Sequence, residues 1–96
     1  MVVGLTSTGL EDLESLELFE LFPNPTLNDI QLRVEFERSL DVRFEVLDLM
    51  GKLIWSQEAR NSQFRLRVNM ENQSAGTYLL RLQTEDGYLL RKFIKL

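Results

Sequence analysis

The carboxylates best placed for acid–base work are two neighbouring pairs, Glu35 with Glu37 and Glu85 with Asp86. They are poorly supported by the rest of the chain. Its 96 residues include no histidine and no cysteine, so the commonest general base, the commonest metal ligand and the most reactive nucleophile are all missing. The first pair falls on the wet face of an alternating segment and the second in a turn, where solvated ionisation rather than a split pair of pKa values is expected. No serine stands in a nucleophile-elbow context, and no phosphate loop or calcium-loop spacing occurs. The expectation is a protein that is not an enzyme, with no cofactor, no metal and a function carried by shape and surface.

Length and charge narrow the partners. Ninety-six residues make one domain with one core. The net charge of −4 is unevenly spread. Residues 1–21 hold Glu11, Asp12, Glu14, Glu17 and Glu20 with no base, which is −5, so the other residues sum to +1. A nearly neutral body behind an acidic leader argues against nucleic acid or an anionic membrane as a bulk electrostatic partner. Apolar runs are short and broken by charge, and neither a signal peptide nor a spanning segment is expected within them. Without cysteine the redox compartment cannot be read.

The elements follow from periodicity. Thr8 and Glu11 fit a capping box, and Leu10, Leu13 and Leu16 recur at helical spacing, so a short helical turn is expected in a leader of residues 1–15. From residue 16 to residue 96 the period becomes two. Ile30, Leu32, Val34 and Phe36 alternate with polar residues, as do Val42, Phe44 and Val46, and then Phe64, Leu66, Val68 and Met70. Leu18 to Phe22, Leu53 to Ser56, the segment after Gly76 and Leu90 to Leu96 complete a set of seven short strands. The expected fold is all-β, a seven-stranded immunoglobulin-like antiparallel β-sandwich. Tyr78 is expected to be buried with its hydroxyl on a backbone partner, and Trp55 to belong to the core.

Turn signals separate these strands. Pro23 and Pro25, flanking Asn24, stiffen a corner and withhold two N–H donors. Asp48-Leu49-Met50-Gly51 fits a type I turn with Gly51 at positive φ, followed by Lys52. Gly76 precedes Tyr78 at the start of a strand. Asp86-Gly87 predicts a two-residue type I′ hairpin. The chain then finishes on Arg91-Lys92-Phe93-Ile94-Lys95-Leu96, a basic and apolar strand without an acid. Such a strand discourages edge-to-edge pairing.

These motifs, taken in order from about Leu16 to Leu96, resemble the C-terminal sorting domains of proteins exported by the type IX secretion system of Bacteroidetes. The resemblance implies recognition positions at Pro23, Asn24, Pro25, Asp48, Gly51, Lys52, Gly76, Tyr78, Arg91, Lys92, Ile94 and Lys95. It also implies an upstream passenger guided through the outer-membrane translocon with its shuttle protein, then cleavage by a surface sortase and attachment at the cell surface or release. Transit would be periplasmic and outer-membrane associated, and a cut would fall in the stretch from Val2 to Gly9. The other expectations open to such a domain are an adhesive or carbohydrate-binding sandwich, and self-association through a strand edge.

Overall fold

In a computed structural model that describes residues 13–96, the chain forms five antiparallel strands: β1 (Leu16–Phe22), β2 (Asp29–Asp48), β3 (Leu53–Asn69), β4 (Gly76–Thr84) and β5 (Gly87–Lys95). The expected capping box at Thr8 and Glu11 lies outside the described residues. Among those residues no helix is long and apolar enough to cross a membrane.

The expectation of seven strands is corrected to five, because two pairs of segments run on without a break. β2 is 20 residues long and β3 is 17. Neither the link from Glu37 to Asp41 nor that from Gln57 to Gln63 contains a glycine or proline, so nothing there stops the extended backbone. What changes is the partner. Residues of β2 from Gln31 to Glu35 pair with β1 on one side and β3 on the other, whereas Arg43 to Leu47 pair with β3 and β4. Between Glu35↔Gln63 and Leu40↔Asn61 the register shifts. Four residues of β2 there face one of β3, and such an irregularity lets a strand pass from one layer to the next.

The long hairpin of β2 and β3 therefore folds over on itself. Its first layer is β1 with the start of β2 and the end of β3, and its second is the start of β3, the end of β2, β4 and β5. Between them the alternating side chains meet as expected: Ile30, Leu32, Val34, Val42, Phe44, Val46, Val68, Leu80 and Leu82 are all buried in one cluster. Phe64 reaches across to Phe44 with ring centroids 5.1 Å apart in an edge-to-face arrangement. Trp55 is half-buried against the same cluster. Leu13 is buried too, and the Ser15 carbonyl accepts the Glu37 N–H at 2.8 Å, so the end of the acidic leader rests on the body.

The β4–β5 hairpin differs from the type I′ expectation. Thr84 pairs with Gly87 across Glu85 and Asp86, Gly87 has φ +139°, and no non-glycine described residue has positive φ. Asp86 stays at negative φ because its local contacts favour it: its N–H donates to the Thr84 hydroxyl at 2.9 Å, and its carboxylate accepts from Arg38 and Ser15.

Candidate recognition surface

The motif positions scattered over 73 residues of sequence, from Pro23 to Lys95, gather at one rim. The strand register shows how. Asp48 pairs with Tyr78, Tyr78 with Phe93 and Gly76 with Lys95, while Thr26 forms a parallel bridge with Lys95. The Asp48 turn, the Gly76 strand start, the end of β5 and the Pro23 corner thus stand side by side, over roughly 15 Å at one strand spacing each.

Each motif has its own local cause. In the Asp48 turn the Gly51 N–H donates to the Asp48 carbonyl at 3.0 Å, and Asp48 Oδ1 accepts from both the Met50 and Lys52 N–H groups at 2.9 Å. Gly51 sits at φ +87° with open space where a Cβ would go. A Gly51→Val variant therefore meets backbone strain and no clash, and should lose about 1–2 kcal/mol in urea unfolding. Tyr78 is buried, as expected, and its hydroxyl donates to the Ser74 carbonyl at 2.7 Å while its ring stacks on Phe93 at 5.8 Å. That arrangement ties the loop before Gly76 to the closing strand.

The basic finish is not a uniformly exposed charged face. Alternation turns Leu89, Arg91, Phe93 and Lys95 toward the first layer and Lys92, Ile94 and Leu96 toward solvent. The Arg91 guanidinium lies 5.3 Å from the ring centre of Phe19 on β1. Lys95 is only 7% exposed and donates to the Leu96 carbonyl at 3.0 Å. Inward-pointing charges are a device that blunts sheet edges, so Arg91 and Lys95 fit edge protection, and Lys92 with Ile94 remain available to a partner.

What the rim offers is mainly apolar. Of the eight large apolar side chains exposed among the described residues, seven belong to its segments: Phe22, Leu27, Leu49, Met50, Leu53, Ile94 and Leu96. On the outer face of the second layer, Leu53, Leu47, Leu79 and Lys92 follow one another in register across four strands. Exposed apolar side chains gathered at one end of a small domain make that end a candidate interaction surface. Sequence alternation alone did not reveal this, because turn residues such as Leu49 and Met50 have no strand phase.

Away from the rim, several charged side chains are paired with one another. Glu45, read from alternation as solvated, is buried, because Arg81 on β4 covers it with a hydrogen bond of 2.7 Å and Arg43 stands 3.9 Å away. Arg43 is also bonded to Glu58. That hydrogen bond and the Glu58 charge raise the guanidinium pKa above its ordinary value, against a small loss of hydration and with help from Glu45. Arg43 and Glu58 line an open hollow of about 450 Å³, with Asp41, Arg60 and Gln83, at the far end of the strands from the rim. Asp41 and Arg60 are themselves paired at 3.2 Å. Glu85 is exposed and 3.5 Å from Arg38. Among the described residues no cluster of three metal-binding side chains occurs.

No curated protein matches the chain. Among solved structures it is similar to dimeric latent PorU from Porphyromonas gingivalis, with a TM-score of 0.66 and 22% identity over 81% of this chain. The match spans 9% of that protein's chain, so the likeness concerns the fold of one small part of it. The family described as the secretion system C-terminal sorting domain matches residues 20–96, the stretch that contains every rim motif. The chain belongs to that family, the C-terminal sorting domains of type IX secretion.

Proposed function

We propose that residues 16–96 are a non-catalytic export signal, an immunoglobulin-like sandwich whose apolar rim is read by the outer-membrane type IX translocon and its shuttle protein. The observation that supports this reading is the convergence of the Pro23 corner, the Asp48 turn, the Gly76 strand start and the end of β5 on the rim where exposed apolar side chains concentrate. A passenger joined upstream would follow the domain across the periplasm and outer membrane. Residues 1–15 serve as the connector, and a surface sortase would cut in the stretch from Val2 to Gly9, which lies outside the described residues. The passenger would then be attached at the cell surface or released.

Self-association is a secondary property of the same fold. Among the described residues β3 pairs with β2 alone, which leaves its other edge for strand addition.

The test is fusion of residues 8–96 to the C-terminus of a secreted reporter in a bacterium with the type IX system. The reporter should reach the medium or the cell surface. Its retention in the periplasm would refute the export reading.

A further inference from the structure

The outer edge of β5 is closed by a corner that cannot form a normal strand. Pro23 and Pro25 have no N–H to donate, so the backbone around Asn24 is short of the groups that edge pairing needs. The Asn24 side chain supplies them. Its Oδ1 accepts the Ile94 N–H at 2.9 Å, and its Nδ2 faces the Lys92 carbonyl at 3.5 Å. One residue pair further along, backbone pairing takes over: the Thr26 N–H donates to the Ile94 carbonyl and the Leu96 N–H to the Thr26 carbonyl, both at 2.8 Å. Thr26 is itself anchored, since it is buried and its hydroxyl donates to the Asp29 carbonyl.

We propose that Asn24 is the positioning residue of the sorting signal, a side chain that substitutes for an edge strand and fixes the register of Lys92 to Leu96. This rests on the export reading above. An unpaired closing strand frays readily, and fraying here would scatter the outward side chains of Lys92, Ile94 and Leu96. The carboxamide suits the place because it carries a donor and an acceptor on one short arm. Both of its polar atoms face β5, so it orders the strand and leaves contact with a partner to Lys92, Ile94 and Leu96.

The experiment pairs amide hydrogen exchange on the full chain with export of a reporter fused to it. In Asn24→Ala the amides of Ile94 and Leu96 should exchange at least tenfold faster, with that of Leu80 in the core unchanged. Asn24→Asp keeps the acceptor and should restore protection at Ile94. Export should fall at least fivefold in Asn24→Ala and recover in Asn24→Asp. Unchanged protection at Ile94 in Asn24→Ala overturns the proposal, as does lost protection with undiminished export. Equal acceleration at Leu80 in both variants makes Asn24 a general fold determinant and overturns it as well. Failure of the unaltered chain to export its reporter removes the export reading, and the positioning role with it, whatever the exchange rates show.

Discussion

Phe44→Ala should destabilise the domain by about 3–5 kcal/mol, measured as the shift in urea unfolding followed by circular dichroism. Phe44 is fully buried on β2, and its ring meets that of Phe64 from the opposite layer. Truncation leaves a void between layers that are tied together by the continuous strands of one hairpin and cannot close independently. A domain of this size has only about 5–15 kcal/mol to lose, so a large fraction of the variant should be unfolded near the growth temperature. Phe22→Ala provides the contrast: Phe22 is 43% exposed at the rim, and its loss should cost under about 1 kcal/mol. A Phe44→Ala cost as small as that of Phe22→Ala would show that the two layers do not share one core.

The difference between these two phenylalanines was partly legible in the sequence. Period-two alternation placed Phe36, Phe44, Phe64 and Tyr78 inward, and all four are buried. It also marked Ile30 to Phe36 and Val42 to Val46 as strands, but not that they are one strand. The break was expected between Glu37 and Asp41, where the alternation lapses through exposed Glu37, Arg38 and Ser39. A lapse without glycine or proline is a change of layer, and the missing turn residues were the available signal. Glu45 misled for a different reason: a polar residue in the outward phase reads as solvated, and only the neighbouring strand reveals that Arg81 covers it.

The rim was legible in its parts and not in its assembly. Each turn announced itself through local chemistry, with the Asp48 carboxylate, Gly51 and the two prolines acting within a few residues. Asn24 and Ile94, by contrast, are 70 positions apart, and no local preference records such a contact. The phase of the last strand was within reach, because Leu89 and Phe93 facing inward oblige Arg91 and Lys95 to do the same. Reading the finish as a run of charge obscured that it has two faces.

Deleting Arg91 to Leu96 should abolish both folding and export, and the two losses can be separated by substitutions that respect those faces. The deletion removes fully buried Phe93, unstacks Tyr78, frees Thr26 and bares the edge of β4 from Gly76 to Leu80. Loss of the Phe93 side chain alone would cost about 3–5 kcal/mol, so the shortened domain should show no cooperative urea transition. Lys92→Glu combined with Ile94→Asp changes only outward side chains, and stability should stay within about 1 kcal/mol of the original. Export of a fused reporter should nevertheless drop at least tenfold, because the sign of the one outward charge on this stretch is reversed and an exposed apolar contact is lost. Arg91→Gln gives the opposite pattern: it forfeits the contact over Phe19, worth about 0.5–1 kcal/mol, yet leaves the outer face and export intact. Undiminished export by the double variant would move recognition off the outward face of β5, toward the Asp48 turn and its neighbours Leu49 and Met50, which crown the other end of the same rim.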